Sequence, residues 1–157
     1  MLSDLLWAAF GINGPEGNRT APSARNWQEI DIYVALGHST YLFNPHGCRL
    51  ETVLDEDIRA MTGTQDFVAT APVNLVYVAD LTRMDGEIRS EHRFYSGIDA
   101  GLIAQNVYLF CASEGLETVV RGLVDRRALA QRLRLAPRQC VIAAQSVGYP
   151  QRSVTSR

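Results

Sequence analysis

The alternation of hydrophobic and polar positions along the chain first predicts strands. Residues 29–36 alternate polar and apolar side chains, as a half-buried strand does, and residues 40–43 follow after Gly-His-Ser, which predicts a β-hairpin. Residues 73–79 form a nearly continuous apolar run, typical of a central strand covered on both faces. Residues 139–148 form the last predicted strand, so the chain is expected to build one sheet.

Helical patterns lie between these strands. They predict a short helix over residues 5–10 with Ser3-Asp4 as its cap, a helix over 54–61 with an acidic first turn, a long helix over 95–114, and an Arg-rich helix over 125–133. The long helix is apolar around most of its circumference and therefore has to be buried on nearly every side. The order of elements predicts a single α+β domain over residues 1–157, with one mixed or antiparallel sheet against helices.

Composition narrows the classes of function. The chain has 157 residues, a formal net charge of −2 and 46% hydrophobic positions, which is typical of one globular domain without the basic field of a nucleic-acid binder. All 15 basic residues are Arg, so a Schiff-base lysine and a phosphate-loop lysine are excluded. Neither a secretory leader nor an apolar stretch of about 18 residues is visible, so we expect a cytoplasmic protein without a membrane span.

The usual catalytic and metal-binding motifs are missing from the sequence. The three histidines and three cysteines lack metal-ligand spacing, and neither a nucleophile elbow nor a glycine-rich dinucleotide fingerprint occurs. If the protein is an enzyme, a bound cofactor is expected to carry the reaction. The loop over residues 19–28 is the most informative segment, because its small residues would let a flat ring approach the backbone. The alternative for this loop is a capped turn with an Arg salt bridge.

Four segments in order carry a resemblance to a known family. They are PSARNWQ at 22–28, APVNLVYVA at 71–79, QNVYLFCASEGLETVVRG at 105–122 and VIAAQSVGYP at 141–150. With these segments the chain resembles the nitroreductase family of FMN-dependent oxidoreductases, and it is most similar to the SagB-type dehydrogenase-like branch. The resemblance implies an intertwined homodimer with two FMN sites at the subunit interface. The long apolar helix suits a dimer, since a second subunit could seal one of its faces.

The resemblance also implies roles for individual residues of the site. Three loop residues would lie against the isoalloxazine ring, namely Pro22, Ser23 and Ala24. Two more would anchor that loop and the polar side of the flavin, namely Asn26 and Gln28. Gln65 would lie near the pyrimidine edge. A backbone segment would run along the ring with an N–H facing flavin N5, namely Val120, Arg121 and Gly122.

The FMN phosphate is the point at which the sequence departs from the family. Members carry an Arg-rich R-R-S-x-R segment upstream of the first helix, and this sequence starts after the place where that segment is expected. Two charge-assisted Arg–phosphate hydrogen bonds are worth enough that their loss would weaken FMN binding by about two to four orders of magnitude. Candidate replacements are Arg19, Arg152 and Arg157, and the alternative for each is an exposed arginine without a phosphate.

The resemblance implies an activity in which NAD(P)H reduces FMN and a small oxidised acceptor, such as a nitroaromatic compound or a quinone, is then reduced at the same site. No side chain has to be a strong acid or base in such a ping-pong cycle, which agrees with the absence of catalytic motifs. Two alternatives stay open. One is a degenerate, non-catalytic flavin-binding homodimer, and the other is a SagB-type dehydrogenase that acts on azoline rings of a modified peptide.

Overall fold

The computed structural model describes residues 1–86 and 89–151. Its strands are β1 (Ile30–Ala35), β2 (Thr40–Asn44), β3 (Arg49–Leu54), β4 (Val73–Asp80), β5 (Glu117–Arg121) and β6 (Gln139–Gly148). Its α-helices are α1 (Leu2–Phe10), α2 (Arg89–Glu114) and α3 (Arg126–Arg132). The strands form one sheet in the order β3-β2-β1-β4-β6-β5, and every neighbouring pair is antiparallel. The predicted α+β class is confirmed.

Both faces of the central strands are covered, because their side chains alternate between two apolar clusters. On one face Leu75 and Tyr77 of β4 pack with α1 and with the buried side of α2. On the other face Val76 and Val78 pack with Leu129 of α3. The prediction that residues 73–79 form a fully buried strand is therefore confirmed. The half-buried strand predicted at 29–36 is buried more completely than its alternation suggested, because β1 lies beside β4 inside the sheet.

The long helix α2 has two apolar faces, and the chain covers one of them. The buried face is formed by Ser96, Asp99, Ala100, Ile103, Ala104, Val107 and Cys111, each at most 3% exposed. The opposite face is an exposed apolar stripe, defined by Phe94, Ile98, Leu102 and Leu109, of which Leu109 is 61% exposed. The expectation that this helix is buried on nearly every side is therefore wrong for a single chain, since the sheet lies on one side of it.

The predicted helix over 54–61 is wrong. Leu54 instead ends β3, and the chain continues through a short 3-10 helix, Arg59–Thr62. Asp57 favours a turn here and not an α-helix, because its side chain accepts hydrogen bonds from both the backbone N–H and the guanidinium of Arg59. Ser39 in the preceding hairpin turn bonds to Asp55, which fixes the start of this segment.

Two edge strands were not predicted, and they complete the sheet at its opposite ends. Strand β3 pairs only with β2, and only one of its six residues is buried, so it lacks the apolar face that identifies a strand in sequence. Strand β5 lies in a segment for which the sequence predicted no strand, and its β-branched residues 118–120 pair with β6. The charged excursion expected over 80–93 also ends early, because α2 begins at Arg89 and His92 is buried.

None of the helices in the described residues is both long and apolar enough to pass through a membrane. Within the same part of the chain, no three His, Cys, Asp or Glu side chains come together in a way that could hold a metal ion.

The packing of α3 predicts that two Leu→Ala substitutions will differ strongly in their effect on the free energy of unfolding. Leu129→Ala empties a fully buried site between α3 and the sheet and is expected to lower the free energy of unfolding by about 2–5 kcal/mol. Leu123→Ala removes a side chain that is 64% exposed and is expected to change it by less than about 0.5 kcal/mol. Urea unfolding of both variants measures the difference, and equal losses would contradict the described packing.

Candidate functional site

The loop before β1 holds a strained backbone. Arg25, Asn26 and Gln28 all have positive φ values, of 49°, 55° and 50°. Non-glycine residues seldom adopt this left-handed conformation, because it brings the side chain close to the backbone. Three such residues within four positions persist only when surrounding contacts fix them, and such strain is concentrated at functional sites.

Side chains of the loop supply these contacts. The Gln28 amide donates to the backbone oxygen of Gly17 and to Asn26 Oδ1 at 2.8 Å, and its oxygen accepts from Arg19 Nε at 2.7 Å. The Arg19 guanidinium also donates to the backbone of Phe10. The predicted anchors Asn26 and Gln28 thus bond within the loop, and the predicted phosphate candidate Arg19 is engaged by the loop itself.

Two buried carboxyl groups lie beneath the loop. Ser23 Oγ accepts the Gln28 N–H at 2.8 Å and donates to Glu29 Oε2 at 3.4 Å, while the Ala24 N–H donates to Asp99 Oδ2 of α2 at 2.9 Å. Glu29 and Asp99 are 0% and 2% exposed. Burial, followed by the negative charge of Asp99, raises the pKa of Glu29 above its ordinary range. Glu29 Oε1 has no hydrogen-bond partner in the described residues.

A second polar cluster lies at the other end of the sheet, below β5. The Arg121 guanidinium is buried and donates to the Thr62 backbone oxygen at 2.6 Å, to Asn74 Oδ1 at 3.1 Å and to Ser146 Oγ at 3.0 Å. Arg121 belongs to none of the ion pairs of the described residues. Burial of the guanidinium lowers its pKa. The cluster therefore carries a positive charge without a carboxylate partner.

Gly63 and Gln65 close the same cluster. A Cβ atom at Gly63 would overlap Arg121 Nη1, so only glycine leaves room for the guanidinium. Gln65 Oε1 is buried next to Gly63 and has no donor among the described residues. An acceptor oxygen without a donor can bind an N–H group of a ligand.

The outer edge of β5 is available for contacts. Val119 and Val120 are 40% and 39% exposed, and no atom lies within 4 Å of a Cβ placed on Gly122. The Val120 N–H donates to the Tyr108 hydroxyl of α2 at 2.9 Å, so this particular N–H is occupied in the single chain. A cleft of about 860 Å³ lies beside the strand, between the C-terminal half of α2 and the 3-10 helix Asp66–Ala69.

The predicted site residues therefore form two separate groups. The loop is fixed to α2 at Asp99 and the β5 edge is fixed to it at Tyr108, nine residues apart, or about 13 Å along the helix axis. Within residues 1–86 and 89–151, no hydrogen bond or ion pair joins the two groups. The remaining phosphate candidates, Arg152 and Arg157, lie outside the described residues.

Comparison with known proteins identifies the family of this fold. A sequence profile described as the nitroreductase family matches residues 1–149. The chain belongs to the nitroreductase family. The predicted resemblance is thus confirmed, and the loop and the β5 edge of this nitroreductase chain belong to two of the four segments that carry it.

Individual relatives agree with this membership. A Methanocaldococcus jannaschii protein named as a nitroreductase is 32% identical over 131 residues, which span 77% of this chain and 66% of the relative. A crystal structure named as a nitroreductase from Ralstonia eutropha superimposes with a TM-score of 0.90 at 44% identity, over 96% of this chain and 72% of that one. The chain thus spans just under two thirds of the length of the curated relative.

A third similarity is one of fold alone. The E. coli microcin synthetase complex contains a chain that matches with a TM-score of 0.82 at 20% identity, over 96% of this nitroreductase chain and 63% of that chain. At this identity the shared architecture carries no statement about substrate.

Sequence reasoning missed the buried partners of both groups. Glu29 begins the alternating strand, where the pattern predicts a polar, solvent-facing position, and Asp99 lies in a helix whose pattern is dominated by apolar residues. One feature of the sequence could have revealed Asp99, because it lies four residues before Ile103 and eight before Val107, on the face that has to be buried. Asn74, an isolated polar residue in a fully apolar strand, could similarly have indicated the cluster around Arg121.

Two glycines of this site are expected to differ in their importance for stability. Gly63→Ala is expected to lower the free energy of unfolding by about 1–3 kcal/mol, because its Cβ overlaps a guanidinium that three acceptors hold in place. Gly122→Ala adds the same methyl group in open space and is expected to leave stability unchanged. Thermal unfolding of both variants without added ligand tests this, and a stable Gly63→Ala protein would contradict the close approach.

Proposed function

We propose that this protein is an FMN-dependent oxidoreductase that takes reducing equivalents from NAD(P)H and passes them to nitroaromatic or quinone-type acceptors. Membership of the nitroreductase family supports a flavin oxidoreductase. The observation that carries the proposal to this chain is the buried, unpartnered Gln65 Oε1 beside an exposed strand edge. A bound flavin would supply the two-electron chemistry, which no combination of side chains described above supplies.

Two surfaces of the chain, the β5 edge and the loop, have residues that fit an isoalloxazine ring. At the β5 edge, Gly122 leaves space for a flat ring against the backbone, and Gln65 offers an acceptor for the N–H of a pyrimidine edge. The charge of Arg121, which no carboxylate compensates, favours an electron-rich ligand above this strand. At the loop, Pro22 and Ala24 present small side chains on a backbone that Ser23 and Gln28 hold rigid.

The separation of the two groups favours a site shared between two copies of the chain. A ring packed between two surfaces needs them about 7–8 Å apart, since each contact is about 3.5–4 Å. Asp99 and Tyr108, which hold the loop and the β5 edge, are instead about 13 Å apart along α2 of one chain. In the proposed homodimer, the loop of one subunit lies over the β5 edge of the other, and the exposed apolar stripe of α2 forms part of the contact.

Mixing of subunits tests the shared site. Pro22→Trp obstructs the loop and Gly122→Trp obstructs the strand, and both positions are exposed, so each chain is expected to fold. Neither homodimer is expected to bind FMN, whereas a heterodimer of the two variants combines both defects in one site and leaves the other intact. One FMN per heterodimer, measured by the visible spectrum after tandem affinity purification, is the expected result.

The matched control places both substitutions in one chain and pairs it with a chain without them. Each site of that heterodimer then carries one defect, and no FMN is expected. Equal FMN content in the two kinds of heterodimer would contradict a site shared between subunits. Failure of the unsubstituted homodimer to bind FMN would reject the flavin proposal itself.

The exposed stripe of α2 predicts the effect of a charge on assembly. Ile98→Arg places a cation in the middle of the stripe, where it would have to be desolvated in the dimer, and is expected to give a monomer in sedimentation velocity. Met61→Arg changes an apolar side chain of 36% exposure outside α2 and is expected to leave the dimer intact. A dimer that survives Ile98→Arg would show that the stripe is not the interface.

Turnover separates the proposed oxidoreductase from a non-catalytic flavin-binding dimer. With FMN at saturation, NADH or NADPH should be oxidised at a rate that rises with menadione or nitrofurazone. Tight FMN binding without such turnover would favour the non-catalytic alternative. The similarity to the microcin synthetase chain is one of fold and does not favour azoline dehydrogenation.

A further inference from the structure

The two consecutive residues Ser23 and Ala24 are held by two different buried carboxyl groups. Ser23 Oγ donates to Glu29 Oε2, and the Ala24 N–H donates to Asp99 Oδ2. Asp99 is therefore the acceptor of a backbone N–H of the loop. Glu29 Oε2 accepts from the Ser23 hydroxyl, and Oε1 has no hydrogen-bond partner in the described residues. Burial raises the pKa of this carboxyl group and outweighs the backbone N–H of Glu29 and the Ser96 hydroxyl, which lower it.

The surroundings of Glu29 disfavour a second negative charge. The side chain is fully buried, and the ionisable group that acts on it is the carboxylate of Asp99, which repels an anion. Glu29 belongs to none of the ion pairs of the described residues, and no cation is among the groups that shift its pKa. Several charged groups of the neighbouring elements bond elsewhere: Arg19 to Gln28, Arg25 to Asp85, His92 to the backbone of Asp85, Asp80 to Thr82, and Asp31 to Arg83. No cation is therefore available to compensate an ionised Glu29 within the described residues.

We propose that Glu29 keeps its proton in the folded protein. Through Ser23, the conformation of the loop over residues 19–28 then depends on that proton. Glu29 is then a positioning residue, because it acts through the loop. The role rests on the proposed function only in that the loop contacts FMN. Burial and the proximity of Asp99 both raise the pKa of Glu29, in the direction that this role requires.

Loss of the proton has a definite consequence for the loop. An ionised Glu29 would leave Oε1 as a buried anionic oxygen without a donor and would repel Asp99, the acceptor of the Ala24 N–H. The loop then has to open to admit water or a cation. Because Arg25, Asn26 and Gln28 are held in strained conformations by contacts in this loop, opening also releases their strain.

The sign of the pH dependence follows from linkage. A carboxyl group with a raised pKa in the folded state favours folding fully below its unfolded pKa, about 4.3, and this contribution is lost as pH rises through the folded pKa. In that interval the unfolding equilibrium constant of the unsubstituted protein is expected to rise by up to tenfold per pH unit relative to a variant without the group. FMN affinity is expected to fall by up to the same factor, if the open loop does not bind.

Glu29→Gln tests the proposal, because the amide is neutral, keeps an acceptor for Ser23 and replaces the protonated oxygen by a donor. Urea unfolding without flavin and FMN titration by fluorescence quenching are measured from pH 4 to 8.5. Glu29→Gln is expected to match the unsubstituted protein at acidic pH and to be more stable and tighter in FMN binding at alkaline pH. Identical pH profiles for the two proteins would overturn the proposal.

Two further variants make the result specific. Asp99→Asn removes the repelling charge and retains an acceptor for the Ala24 N–H. The loss of stability and of FMN affinity with rising pH is therefore expected to begin at a lower pH than in the unsubstituted protein. Glu16→Gln makes the same Glu-to-Gln change at an exposed position of the N-terminal loop and is expected to leave the profile unchanged. A shift produced by Glu16→Gln of the same size would assign the effect to overall charge and overturn the proposal.

The two readouts distinguish this inference from the proposed function. If FMN fails to bind at every pH while the unfolding profiles of Glu29→Gln and the unsubstituted protein differ as expected, the buried proton stands and the flavin proposal fails. If FMN binds and the unfolding profiles coincide, the flavin proposal stands and the role of Glu29 fails.

Discussion

The structure depends on a long helix that one sheet can cover on one side only. The buried face of α2 packs against α1, β1, β5 and β6, and it leaves an apolar stripe outside. The same helix fixes the loop at Asp99 and the β5 edge at Tyr108. Because a helix of 26 residues is stiff and about 39 Å long, it holds the two parts of the candidate site at a set distance. Whatever covers its outer face also determines which loop meets which strand edge.

The two parts of the site each bury an ionisable side chain, Arg121 below β5 and Glu29 below the loop, in different surroundings. Arg121 cannot lose its proton near neutral pH, so the structure surrounds it with three acceptors and keeps Gly63 free of a side chain. Glu29 can take up a proton, and in the described residues its carboxyl group has no cation as a partner and one oxygen without a hydrogen bond. A guanidinium is therefore a permanent charge below β5, whereas the carboxyl group below the loop can be neutral.

Much of the fold could be predicted, because its central elements bury whole faces. The run at 73–79 has no polar position except Asn74, and the structure makes it the central strand β4. Edge strands lack such a pattern, since β3 buries only one of its six residues and β5 is five residues long. The helix predicted at 54–61 failed for a local reason, because an acidic first turn suits a helix, while the hydrogen bonds of Asp57 to Arg59 favour a turn.

The candidate site was predictable where backbone and small side chains define it, and unpredictable where buried side chains do. The loop residues Ser23 and Gln28 stood out by type and order, whereas the direction of the Arg121 side chain depends on which face of an unrecognised strand it occupies. Strand β5 alternates, so Val120 and Arg121 lie on opposite faces, and a shift of one residue would exchange them. Pairing with β6 fixes that register, and it sends the guanidinium into the cluster with Asn74 and Ser146 while the Val120 N–H meets Tyr108. Long-range pairing therefore decides what this segment offers to a ligand, and a local motif cannot contain that information.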